Sequence, residues 1–155
     1  LISVMSTTGD SDVGRPTDEA RELLLTPGST QRDQAIELHL AGKKVWGSPG
    51  HVDDALEREF AGEVFDRACR PAGVGRQFKA SRADRSRTER LRLLHVPTLV
   101  IHGDCDTLID ISGGLRTAEV IPNARFIEIK GMGHDYPEYF WPNLVSAVRN
   151  HCQKI

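Results

Sequence analysis

Residues 99–109 read Leu-Val-Ile-His-Gly-Asp-Cys-Asp-Thr-Leu-Ile. With Thr98 before them, the first residues make an unbroken apolar run, the pattern of a strand buried on both faces. The run stops at Gly103, and the acids Asp104 and Asp106 follow at once. Ala124 to Ile129 is a second strand-like run, and the stretch from Gly114 to Val120 between them is helical in character until Pro122 and Asn123 break it. Strand, helix and strand at this spacing predict a βαβ unit with a right-handed crossover, and therefore a parallel sheet. Parallel sheets gather ligand chemistry at the C-terminal ends of their strands. Here those ends carry His102-Gly103-Asp104-Cys105-Asp106 and Gly131-Met132-Gly133-His134-Asp135, which puts an acid and a histidine on one rim.

Outward from this unit, Leu1 to Gly14 opens on an apolar run, Leu1 to Met5, and then turns through Ser, Thr, Asp and Gly, as a buried strand and its loop would. Residues 15–95 are helical in pattern. Thr17 is an N-cap with Asp18 and Glu19 in the first turn, where the helix dipole favours acids, and Pro27-Gly28 ends that helix. Ser29 or Thr30 caps the next, which carries Ile36 and Leu40 on one face and runs to the break at Gly47-Ser-Pro-Gly50. Leu56, Phe60 and Val64, with Phe65 and Ala68 beside them, predict an amphipathic helix with that stripe inward. Pro71 starts another bearing Val74 and Phe78. The closing helix, Trp141 to Ile155, is expected to turn Leu144, Val145 and Val148 to the core.

At 155 residues the chain is of single-domain size, and 39% hydrophobic with 27% charged residues describes a globular protein. A net charge of −2 argues against a nucleic-acid partner, and the Arg-rich stretch from Arg82 to Arg92 is broken by Asp84 and Glu89, as on a solvated helix face. No apolar run approaches the length of a membrane helix. Cys69, Cys105 and Cys152 are odd in number and far apart, which suits free thiols in a reducing, cytoplasmic setting.

The strand-end residues admit several uses. Acids after a strand form Asx turns or cap the next helix, and a histidine between glycines is ordinarily a turn residue. Together they fit an imidazole whose tautomer a carboxylate holds. Zinc is a competing use of His102, Asp104 or His134, without any His-x-x-x-His or Cys-x-x-Cys pairing in support. An EF-hand is excluded because Ile109 stands where its loop requires Gly.

The stretch Val96 to Ile109, Gly113-Gly114, Ile121 to Asp135 and the following Trp141 resemble the C-terminal part of an α/β-hydrolase. Within that superfamily the chain is most similar to the esterase branch that includes the aclacinomycin methylesterases. The opening Ser3 to Pro16 is similar to the strand and loop that leave the core for a helical cap in that branch. The resemblance implies an α/β fold with parallel strands and flanking helices, core segments 1–14 and 91–155, and a cap over 15–90. It also implies that Asp106, fifth in His-Gly-x-x-Asp, is a triad acid and His134 the triad base, needing neither metal nor cofactor. Asp104 then serves the turn, and Gly103 and Gly133 give the backbone room to bend.

One part of the family pattern is lacking. The nucleophile elbow Gly-x-Ser-x-Gly occurs nowhere in the chain: Gly9 to Val13 misses its last glycine, Ser48 and Ser112 lie in turns, and Ser6 is a turn or capping residue. The chain is therefore expected to be the second half of a hydrolase, inactive alone, with an exposed strand edge at Leu1 to Met5 prone to self-association. The expected activity is hydrolysis of a small-molecule ester. The alternatives are a dehalogenase or cofactor-free haloperoxidase, or a non-catalytic remnant or partner subunit. Trp46, Phe60, Phe65 and Phe78 are expected in the core of the cap, with a substrate pocket as their alternative place.

Overall fold

The computed structural model describes residues 1–153, with Arg82 described by its backbone alone. Three parallel strands, β1 (Ile2–Val4), β2 (Leu99–Gly103) and β3 (Arg125–Ile129), lie side by side in that order. Leu99 faces Ile2 on one side and Arg125 on the other, and Gly103 is in register with Ile129. All five residues of β2 are buried, as a central strand covered on both faces requires. Alternation then sorts its side chains. Leu99 and Ile101 join Met5, Ile129, Met132, Phe140 and Ala147 in the main apolar core. His102, on the opposite face, meets α6 (Ser112–Val120), where a side chain on Gly114 would collide with its ring.

The last helix, α7 (Trp141–Cys152), closes the core with Leu144, Ala147 and Val148. Val145 is 62% exposed, contrary to the sequence expectation, because the inward stripe runs 144, 147, 148, 151 and leaves position 145 off it. Ile155, the expected end of this helix, lies outside the described residues.

Between β1 and β2 run α1 (Asp18–Leu25), α2 (Arg32–Trp46), α3 (Asp54–Arg67), α4 (Pro71–Ala83) and the single turn α5 (Thr88–Leu91). Thr17 caps α1 by accepting from the Ala20 N–H, and Asp53 caps α3 by accepting from Ala55 and Leu56. Neither Ser29 nor Thr30 caps α2: the cap position falls on Gln31, and the Ser29 hydroxyl accepts the Gln31 N–H one turn too early. In the Arg-rich stretch Arg87 and Arg90 pair with Asp84 and Arg92 with Glu89, and Arg87 also donates to the Thr7 carbonyl.

This segment has a small core of its own, Ile36, Leu40 and Ala61. The expected aromatic core is absent. Phe60 is 55% exposed, as are Leu56 and Val64 to similar degrees, while Trp46, Phe65 and Phe78 are half-buried. The reason lies in how α3 meets α2. It presents its small residues Ala61 and Gly62, and the Arg32 guanidinium lies over Gly62 where a side chain would clash. Close approach through small residues turns the larger stripe outward. No helix among the described residues is long and apolar enough to cross a membrane.

These burials set stability. Ile101→Ala should lower the unfolding free energy by about 2–5 kcal/mol in urea denaturation, whereas Phe60→Ser should change it by less than about 0.5 kcal/mol. A larger loss for Phe60→Ser than for Ile101→Ala would show that α3 faces inward after all.

Candidate active site

Two loops leave the C-terminal edge of the sheet together. The loop after β2 folds around the Asp106 carboxylate, whose Oδ1 accepts from the Leu108 and Ile109 N–H groups at 2.9 and 2.8 Å. The loop after β3 brings His134, whose Nδ1 lies 2.7 Å from Asp106 Oδ2. Asp106 is fully buried at its side chain, and His134 is 26% exposed. Asp106 and His134, predicted on one rim, are thus in direct contact.

A third group joins them that the sequence reading weighed only as a metal ligand. His102 is fully buried, and its Nε2 lies 2.8 Å from the Ile109 carbonyl and 3.3 Å from Asp106 Oδ2. Both neighbours are acceptors, so Nε2 carries the proton and donates. His102 Nδ1, against Gly114, has no hydrogen-bond partner. Adding a proton there would create a buried donor with nothing to accept it. Its place before Gly103 in the strand-end motif was visible in the sequence; its orientation toward Asp106 was not.

Burial would raise the Asp106 carboxyl, but the hydrogen bonds from His102, His134 and the Ile109 N–H outweigh it and hold the group at about 2. It is therefore a carboxylate at neutral pH, and His134 donates to it through Nδ1–H. His134 Nε2 is left unprotonated, and the structure gives it no protein partner among the described residues. That is the arrangement of a general base.

The remaining candidates go elsewhere. Asp104 accepts from the Gly131 N–H at 2.7 Å and pairs with Lys130, so it serves the turn between the strand ends. His102, Asp104 and His134 do not converge as a zinc site, and among the described residues no cluster of three ligating side chains forms. Cys105 is held as a thiol, pushed up by burial and by the neighbouring Asp104 charge. After β1 the strained residue is Met5, at φ 45°, and its buried thioether offers no nucleophile. The sharp bend near His134 is taken by Gly131, at φ 79°. Gly103 and Gly133 serve close approach instead, Gly103 to the Met132 carbonyl and Gly133 to Trp46 and Gly47.

A scan against protein-family models finds no match. Over 48 residues the chain is 42% identical to the non-heme chloroperoxidase CPO-A1 of Kitasatospora aureofaciens, a match covering 30% of this chain and 18% of that protein. Among solved structures, the esterase RhEst1 from Rhodococcus sp. ECU1013 superposes with a TM-score of 0.64 at 25% identity, over 96% of this chain and 54% of that one. A thermophilic esterase from Thermogutta terrifontis gives 0.68 at 20% identity, over 99% and 55%. The fold is that of the α/β-hydrolases. This chain spans about half the length of the solved structures it matches, and the half it spans is the C-terminal portion of that fold.

The Asp106 carboxyl gives a test of the geometry. Its value of about 2 against an ordinary 3.8 favours the ionised folded state by about 2 kcal/mol. The folded value is the depressed one, so this stability is present above about pH 4 and lost as pH falls toward 2. The stability difference between wild type and Asp106→Asn should therefore shrink by about 2 kcal/mol between pH 5 and pH 2. His102→Phe removes one donor and should move this acid limb to higher pH.

Proposed function

We propose that the complete protein is an esterase-like serine hydrolase in which Asp106 is the acid and His134 the base of a Ser-His-Asp triad. Residues 15–90 form its cap, over a small-molecule ester. The reading rests above all on the 2.7 Å bond from His134 Nδ1 to the buried Asp106 carboxylate, at the ends of adjacent parallel strands. The nucleophile is a serine in a part of the protein outside these 155 residues, in keeping with the absence of a Gly-x-Ser-x-Gly elbow here and with similar solved structures about twice this length.

The chemistry follows from the proton positions. His134 Nε2 takes the proton of the serine hydroxyl as its oxygen attacks the ester carbonyl. Asp106 keeps Nδ1 protonated and stabilises the imidazolium that forms. The imidazolium then protonates the departing alkoxide. Water, activated by the same Nε2, hydrolyses the acyl-enzyme. No metal or cofactor enters these steps.

A second reading, haloperoxidase or dehalogenase chemistry on the same acid and base, draws support from the likeness to chloroperoxidase CPO-A1. An aspartate at the elbow would mark the dehalogenase form, by carboxylate attack on a carbon–halogen bond. A non-catalytic partner subunit is the third outcome. The cytoplasm is the proposed location, supported by the free thiols Cys69, Cys105 and Cys152.

The chain also has a surface for a second copy of itself. The outer edge of β1 borders a cavity of about 520 Å³ lined by Leu1, Ile2, Val4, Ser6, Arg87 and Leu91. Among the described residues Ile2, Ser3 and Val4 pair only with β2, and none carries a charge or is a proline to discourage a further strand. Light scattering of the 155-residue chain at micromolar concentration should detect self-association; a stable monomer would refute it.

The complete coding sequence, expressed and challenged with nitrophenyl esters and a fluorophosphonate probe, tests the main reading. Residues 1–155 alone should show no turnover beyond that of free imidazole. In the complete enzyme Asp106→Asn should lower kcat by about 10⁴-fold while leaving the fold intact, and Asp104→Asn should cost far less. Greater sensitivity at Asp104 would reverse the assignment, and halide release from a haloalkane, or peroxide-dependent halide oxidation, without ester turnover would favour the second reading.

A further inference from the structure

The loop carrying His134 is held from its far side by the end of α2. The His134 N–H donates to the Trp46 carbonyl at 2.6 Å. One residue earlier, the Gly133 N–H donates to Ser48 Oγ at 2.9 Å. One residue later, Asp135 Oδ1 accepts from Ser48 Oγ at 2.5 Å, and its two oxygens accept from the Ser48 N–H at 3.1 and 3.2 Å. Three consecutive residues around His134 are thus bonded to two residues at the end of α2, Trp46 and Ser48. Ser48 is fully buried and Asp135 is 7% exposed. The fit is tight: a Cβ on Gly133 would lie 2.5 Å from the Trp46 carbonyl oxygen.

The same turn of α2 reaches the other loop. Thr107 Oγ1, beside Asp106, donates to the Val45 carbonyl at 2.8 Å, and the Thr107 carbonyl accepts from the Thr17 N–H. Residues 45–48 therefore bond both the loop of Asp106 and the loop of His134. Lys43 continues the tie inside the helical segment, lying 3.8 Å from Asp135 and 2.9 Å from Glu57 on α3.

We propose that Ser48 and Asp135 are positioning residues: through them, the end of α2 and the turn that follows it set the height of the His134 backbone at which Nδ1 meets Asp106. The role rests on Asp106 and His134 being the acid and base, but it is read from the bond between them and not from turnover. A hydroxyl is needed at 48 because one atom must accept from Gly133 and donate to Asp135 together, which no apolar side chain does. An amide at 135 still offers an oxygen to Ser48, so Asp135→Asn should preserve the clasp that Asp135→Ala breaks.

The test is proton exchange at His134 Nδ1–H, followed by NMR in the full 155-residue chain. Ser48→Ala and Asp135→Ala should speed its exchange with water about tenfold, the upper range for loss of one hydrogen bond in a local opening. Asp135→Asn should stay within about twofold of wild type. Ile36→Val, a change in the α2 core chosen to lower global stability by a similar amount, should leave this exchange unaltered. Should either alanine variant fail to fold, Thr107→Val removes the second anchor on the same turn and should act in the same direction. Exchange unchanged in the folded variants, or raised equally by Ile36→Val, would overturn the proposal. Loss of ester turnover in the complete protein would leave this measurement unmoved, so the two readings fail separately.

Discussion

A carboxylate with no solvent exposure is the constraint on which the rest of this structure turns. Burying an isolated charge costs several kcal/mol even after relaxation, so Asp106 is tolerable only with its oxygens occupied. Its donors come from three places: the Leu108 and Ile109 N–H groups of its own turn, His102 on β2, and His134 on the loop after β3. The register of β2 against β3, which sets Gly103 opposite Ile129, brings those loops out side by side. Strand pairing and charge satisfaction are therefore coupled. A slip of one residue would turn His102 from α6 into the apolar core and leave Asp106 short of a donor.

The attachment of the helical segment follows different physics. Its own apolar core is three residues, Ile36, Leu40 and Ala61, too few to fix it on the sheet by burial. Directional bonds hold it instead, from Thr17, Val45, Trp46 and Ser48 to the two strand-end loops. Hydrogen bonds of this kind contribute modestly one by one, yet each buried group left unpaired costs more than the bond gained. The geometry they impose is narrow, and it is concentrated where the acid and histidine meet.

How much of this was legible depends on the range of the signal. β2 was readable because consecutive apolar residues ending in glycine and acid have few other meanings, and β3 because Phe126, Ile127 and Ile129 are strand formers bounded by Asn123 and Gly131. That an acid and a histidine share one rim followed from topology, since parallel neighbours deliver their C-terminal ends together; the choice of Asp106 over Asp104 came from the resemblance of His-Gly-x-x-Asp to the family motif. Side-chain direction was less readable. The stripe Leu56, Phe60 and Val64 has helical spacing, but spacing does not say which face meets α2, and Gly62 beneath Arg32 decided it. Val145 was misassigned because two registers of the closing helix differ by a single position. Ser48 and Asp135 were invisible as a pair: 87 residues separate them, and nothing in a Ser-Pro-Gly turn announces a partner at that distance. The cap boundary of α2 failed locally, where Ser29 satisfies Gln31 instead of the helix.

Two histidines share one carboxylate oxygen, and their surroundings divide the roles between them. His102 is sealed, with Nε2 committed to two acceptors and Nδ1 facing Gly114 without a partner. Protonation there is opposed by the cost of an unsatisfied buried donor. His134 is partly open, with Nδ1 on Asp106 and Nε2 free. An imidazolium can form on it facing the carboxylate, while its far nitrogen reaches the space where a reacting group would sit. On the proposed reading, the charge of Asp106 is thus available to only one of its two histidine neighbours. His102 contributes by lowering the carboxyl without competing for the proton, which makes the pair asymmetric by burial alone.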